Sequence, residues 1–203
     1  MAMRRVSTAL AALLLTGAGL AATTGTADAA TSAAGIEAAC AGDWGSLPKT
    51  ATETAGYSPL VNIRTGQHAC FDRMVFDIRG AEGSAEHGPV RYQVRYVDEL
   101  HQDGSGDLIP VGGGAILEVR VGAPSYDPET MQPSYRAHVG KPLPGVGVEG
   151  YRTFKDIRYG GSFEGDTQVG VGVRARLPFR VFQSGNHVVV DVAHRWGADH
   201  GAP

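Results

Sequence analysis

Cysteine and lysine are scarce in this chain, and no run of apolar residues is long enough to cross a bilayer. The 203 residues hold 2 Cys. Three lysines (Lys49, Lys141, Lys155) stand against fifteen arginines. Charged residues make up 19% and aromatics 7%, and the net charge is −3. No basic field is therefore present to hold nucleic acid, and nucleic acid is excluded as a partner. Catalytic signatures are missing too: there is no G-x-S-x-G, no H-E-x-x-H and no phosphate-binding glycine loop. The triplet Gly112-Gly113-Gly114 lacks the lysine and helix that a phosphate cradle needs, so it reads as a turn. Seven histidines stand singly, none paired at i, i+2 or i, i+4, so no zinc site is expected. No cofactor is expected either. Glycine is abundant, with 29 residues, which disfavours coiled coils and helical bundles and favours short strands joined by turns.

The N-terminus reads as an export signal. Arg4 and Arg5 precede a nearly uncharged Ala/Leu-rich run from Val6 to Leu20, and Ala27-Asp28-Ala29 supplies a small-x-small cleavage pattern. Residues 1–29 are thus expected to be a signal peptide, cut between Ala29 and Ala30. The apolar run falls short of the roughly 20 residues of a bilayer span, so no membrane association is expected after cleavage. In the oxidising compartment beyond, Cys40 and Cys70 are expected to pair, tying a Gly/Thr/Ala-rich segment (30–58) to the domain that follows (59–195). Residues 196–203 form a short tail.

From Leu60 onward the apolar period is two. Met74, Phe76 and Ile78 share one face of 71–79, and Arg73, Asp77 and Arg79 the other; Val90 to Tyr96 and Ala115 to Val121 repeat the alternation. Further runs at 153–159, 168–174, 179–183 and 187–193 bring the total to about eight strands. Turn signals lie between them, including Gly160-Gly161 and Ser184-Gly185-Asn186. The expected fold is all-β, a sandwich of two antiparallel sheets. One connection, 122–150, holds five prolines and no periodicity, and loops of that length in a compact domain are usually functional or disordered.

Four stretches carry a family resemblance in order: Cys70-Phe71-Asp72-Arg73-Met74-Val75-Phe76-Asp77, Tyr92-Gln93-Val94-Arg95-Tyr96-Val97-Asp98, Phe163-Glu164-Gly165-Asp166-Thr167-Gln168 and Pro178-Phe179-Arg180-Val181. Over 60–195 the chain resembles the AMIN-like domain of exported actinobacterial proteins, related to the AMIN modules of cell-wall amidases and secretins. The resemblance implies a two-sheet β-sandwich and, as in classical AMIN modules, attachment to peptidoglycan. The sequence shows no amidase domain, so zinc amidase activity is not carried over.

The candidate binding residues cluster in the long loop and the strand after it. Tyr126, Tyr135, Arg152, Phe154, Arg158, Tyr159, Phe163 and Glu164 combine aromatic faces for sugar C–H groups with guanidinium forks for carboxylates. In an extended segment Arg152, Phe154 and Arg158 share a face, which Ile157's need for the core would turn toward water. Phe163 is read as a cap on the core, and Glu164 as a partner for Arg73 or Arg158. These readings favour a secreted, non-catalytic module bound to cell-wall glycan or peptidoglycan. Two other classes stay open: a small hydrolase using an acid pair such as Glu164 and Asp77, and an adaptor for an envelope protein. Asp103, Ser105 and Asp107 mimic the first half of a calcium loop, but Gly114 stands where the closing Glu belongs, and a plain turn fits better.

Overall fold

The computed structural model describes residue 40, residues 44–80 and residues 88–197. The signal segment 1–29 with its Ala29–Ala30 cleavage point, and the tail from residue 198 onward, lie outside the described residues. No helix occurs among those described. Strands β1 (Lys49–Ala51), β2 (Leu60–Gln67), β3 (Phe71–Ile78), β4 (Tyr92–Val97), β5 (Leu100–His101), β6 (Leu108–Ile109), β7 (Ala115–Val121), β8 (Phe154–Phe163), β9 (Asp166–Val173), β10 (Phe179–Ser184) and β11 (His187–Ala193) make up the fold. All eight expected strands are present; β1, β5 and β6 are the short additions. A five-stranded sheet in the order β1-β4-β7-β9-β8 faces a four-stranded sheet, β10-β11-β3-β2. The pairings are antiparallel throughout, and the architecture is the expected all-β sandwich.

The core follows from the alternation. Met74, Phe76 and Ile78 of β3, Val188, Val190 and Val192 of β11, Leu117, Val119 and Val121 of β7, and Val169, Val171 and Val173 of β9 meet between the sheets. Each such side chain contributes about 1.5–3 kcal/mol on burial. The outward positions of β9 are Gln168, Gly170 and Gly172, and the missing side chains there admit a third layer. A Cβ on Gly170 would stand 2.4 Å from Leu100 Cδ2, and one on Gly172 only 1.7 Å from the Gly112 oxygen. The β5–β6 hairpin and the strand-like run after it therefore lie against this sheet, with Leu100 and Ile109 buried beneath them.

Two expectations about β8 are corrected. Gly160-Gly161 is not a turn: it lies inside β8, where the register slips between Tyr159 and Gly161. A Cβ on Gly160 would meet Gln168 Oε1 at 2.6 Å, so the bulge needs glycine there. The turn falls instead at Glu164-Gly165, with φ of 47° and 84° between the paired Phe163 and Asp166, the geometry of a two-residue type I′ hairpin. At the N-terminal side Cys40 and Cys70 form the expected disulfide, and β1 adds an edge to the five-stranded sheet by pairing with β4.

Candidate functional site

The proline-rich loop 122–150 is packed, not loose. It runs along the free edge of β8, where the Gly140 N–H donates to the Tyr159 oxygen (2.8 Å) and the Tyr159 N–H to the Lys141 oxygen (3.0 Å). Tyr135 and Leu143 bury their side chains in the main core. At the loop's tip the Asp127 carboxylate accepts the N–H groups of Glu129 and Thr130 and an ion pair from Arg79 at 2.7 Å. Those backbone bonds come first, and the guanidinium after them, in holding this carboxyl below the usual range.

Between loop and strand lies a cleft of about 460 Å³, lined by Tyr126, Tyr135, Tyr159, Ser125, Gln102, Arg136 and His138 among others. Three candidate aromatics thus converge. The Tyr135 and Tyr159 rings meet edge to face with centroids 6.3 Å apart. Tyr159 OH and Ser125 Oγ hydrogen-bond at 2.5 Å. Burial pushes the Tyr135 phenol up to about 12 and also raises Tyr159, although the Ser125 bond pulls the latter back. The Tyr135 hydroxyl, buried, has no hydrogen-bond partner among the described residues. Arg136 and His138 are exposed at the rim. Ser125, Gln102 and His138 were not singled out from sequence, because only the folded course of loop 122–150 and of the β5–β6 turn brings them to this cleft.

The other candidates do not join this cleft. Phe154 was expected to face water and is completely buried. Asp156 pairs opposite Gly172 while Phe154 pairs opposite Val173, so Lys155 is an extra residue in β8. Such a bulge resets the alternation, so Phe154, Ile157 and Tyr159 all point inward. Arg158 lies outward but is committed to Asp156 at 2.9 Å, a local ion-pair row. Arg152 is exposed, and its guanidinium donates to the Ala69 oxygen. Phe163 does not cap the core; it is 47% exposed, and its ring lies over Gly104. Glu164 pairs with neither Arg73 nor Arg158: it is exposed in the turn, where its backbone oxygen accepts from Arg91. Asp77, its suggested catalytic partner, lies on the other sheet and is held by Arg64, Asn62 and His187. The two acids are not brought together, so Glu164 and Asp77 do not form the suggested acid pair. Asp103 forms an ion pair with Arg120 at 2.5 Å, and Ser105 Oγ accepts the Asp107 N–H, so that segment is a turn. Among the described residues no group of three or more His, Cys, Asp or Glu is placed to hold a metal ion.

The alternation of arginine and aromatic expected at 151–159 is realised elsewhere, on the outer face of the four-stranded sheet. In register across β10, β11 and β3, Arg180, Asp191 and Arg73 form a row. Arg180 stacks 4.4 Å from the Trp44 ring and 5.2 Å from Phe182, and Arg73 lies 5.1 Å from Phe71. The signal was present in Phe71-x-Arg73 and Arg180-x-Phe182, two period-two pairs on the polar faces of their strands.

The fold is a two-sheet antiparallel β-sandwich with a disulfide at its N-terminal side and a cleft between loop 122–150 and β8. The AMIN-like domain profile matches residues 58–194, and the chain belongs to the AMIN-like family. No curated protein and no solved structure matches it. Family membership associates the chain with cell-wall modules in general, which are non-catalytic. Together with the Cys40–Cys70 bond it points to an extracellular or envelope location.

Proposed function

We propose that this protein is exported by cleavage after Ala29 and attaches to the cell wall by binding peptidoglycan or a related glycan, without cleaving it. Its domain is 59–195, and 30–58 is the segment tied down by the disulfide. The observation that carries the reading is the cleft itself. The half-buried Tyr126 ring lines it beside the exposed Arg136, which has no ion pair among the described residues, the combination that takes a sugar C–H surface and a carboxylate in one contact, and the buried Tyr135 and Tyr159 back them. The loop's backbone bonds to β8 preorganise the wall of the cleft, so little ordering entropy opposes binding.

Co-sedimentation of the purified protein with cell-wall sacculi tests it. The bound fraction is expected to fall about tenfold in the Tyr126→Ala/Arg136→Ala double variant, within the hot-spot range. Arg152→Ala and Arg158→Ala are expected to leave it unchanged. Failure of the unaltered protein to co-sediment at low and moderate salt overturns the reading. An adaptor for an envelope protein is the second reading, favoured by Met131. This residue is 66% exposed with φ of 58°, an apolar side chain displayed on a tightly bonded loop tip. Crosslinking through position 131 that captures a single protein and no glycan would decide for it.

A further inference from the structure

The loop that leads into β1 displays the most exposed large apolar side chain among the described residues. Leu47 is 72% exposed, with the exposed Pro48 beside it. The backbone beneath it is already satisfied. The Gly45 oxygen accepts the Phe179 N–H at 2.9 Å, the Ser46 oxygen the Arg176 guanidinium at 3.4 Å, and the Leu47 oxygen the Lys49 ammonium at 3.2 Å. Pro48 has no N–H to leave unpaired. Three consecutive carbonyls held in this way let the loop lose water without baring polar backbone, the condition for entering an apolar medium. Both tryptophans of the chain border it. Half-buried Trp44 begins the loop, with Arg180 4.4 Å from its ring, and half-buried Trp196 donates its indole N–H to the Arg176 oxygen. Lys49 and Arg176 have no ion pair among the described residues, while Arg73 and Arg180 share the one buried carboxylate of Asp191. Four cations thus stand against a single acid.

An apolar side chain that projects needs a partner able to close around it, and one ringed by cations needs that partner to be anionic. Tryptophan and arginine at the margin of an apolar tip are side chains that settle at a lipid–water interface. We propose that loop 44–49 docks on a bilayer surface bearing anionic phospholipid. Leu47 enters between the headgroups, Trp44 and Trp196 lie at the interface, and Lys49, Arg176 and Arg180 meet the phosphates. Each cation near such a surface strengthens binding about fivefold. The contact is peripheral, and it departs from the expectation of no membrane association, which was drawn from the length of an apolar run and concerns spanning alone. It also goes beyond the wall-binding reading. The strand that the loop enters, β1, and the strand that walls the cleft, β8, are opposite edges of the five-stranded sheet, which leaves each contact free of the other.

The test is flotation of the purified exported, disulfide-bonded protein with vesicles of phosphatidylglycerol and phosphatidylcholine in equal parts, and with vesicles of phosphatidylcholine alone. Binding to the first is expected at low salt, about tenfold weaker binding to the second, and release as salt rises from about 0.05 to about 0.5 M. Since both tryptophans lie at the loop, brominated phosphatidylglycerol should quench the protein's emission. Leu47→Asp is expected to lose about tenfold with its melting temperature unchanged, and Arg180→Gln about fivefold. Leu108→Asp, at a leucine 55% exposed on the other sheet's hairpin, should lose nothing. No binding to the phosphatidylglycerol vesicles, equal binding to both kinds, or binding without quenching overturns the proposal. So does unchanged binding by Leu47→Asp. Should that variant fail to fold, quenching in the unaltered protein decides. A crosslinker at position 47 that captures an acidic protein, with no vesicle binding, replaces the lipid by a protein partner. Purified sacculi carry no lipid, so sacculus binding should survive Leu47→Asp, and the two readings fail separately.

Discussion

Asp191 is completely buried on the outer side of the four-stranded sheet, and Arg73 clamps it with two bonds of 2.6 and 2.9 Å. Arg180 adds a third at 2.8 Å from the opposite strand. One carboxylate thus orients two guanidinium planes, which stack on Trp44, Phe71 and Phe182. Asp191→Asn is expected to destabilise the fold by about 2 kcal/mol. That is below the usual cost of breaking a buried pair, because both arginines reach solvent and are screened there. Urea unfolding measures it. Arg180→Ala, which removes one cation–π stack and one bond, is expected to cost about 1 kcal/mol.

Phe154 and Arg158 lie four residues apart on β8, with opposite fates. Phe154→Ala opens a cavity between the sheets and is expected to cost about 3–5 kcal/mol. Arg158→Ala removes a partly exposed ion pair with Asp156 and should stay within about 1 kcal/mol. Comparable losses for the two variants in denaturant titration would contradict the inward setting of Phe154.

Gly172→Ala would set a Cβ 1.7 Å from the Gly112 oxygen, a backbone atom that cannot rotate away. The segment carrying Pro110 to Gly112 must then lift from the sheet. A loss of about 2–3 kcal/mol is expected. Hydrogen exchange should speed up at residues 108–112 more than in the sandwich core.

Glu118 is expected to contribute to acid stability, as is Asp127. Burial acts to raise the Glu118 carboxyl, but the bonds from Arg95 and Gln168 and the charge of Arg120 outweigh burial, and the net shift is downward. A depressed folded-state value means stability that is present above the unfolded value of about 4.3 and is lost as pH falls through the folded one. The melting temperature is therefore expected to decline progressively below about pH 4.3, and Glu118→Gln should flatten that decline while lowering stability at neutral pH. Parallel slopes for the two proteins between pH 3 and 6 would refute the assignment.

The period-two alternation in β3, β7 and β11 determined which side chains meet in the core, because a strand's faces are set by its own residues alone. The cysteine pairing was legible for a similar reason: two thiols in an oxidising compartment leave one bond to form. Tertiary structure decided the rest. An extra residue at Lys155 resets the faces of β8, and no local composition marks it, since the slip exists only against the register of β9. Tyr126, Tyr135 and Tyr159 were named from sequence, yet their convergence depends on loop 122–150 bonding back along β8 through Gly140 and Lys141. The Arg180–Asp191–Arg73 row draws on three strands, two of them 118 residues apart at the contact. Pairings across such distances depend on sheet order and register, which a linear pattern does not contain.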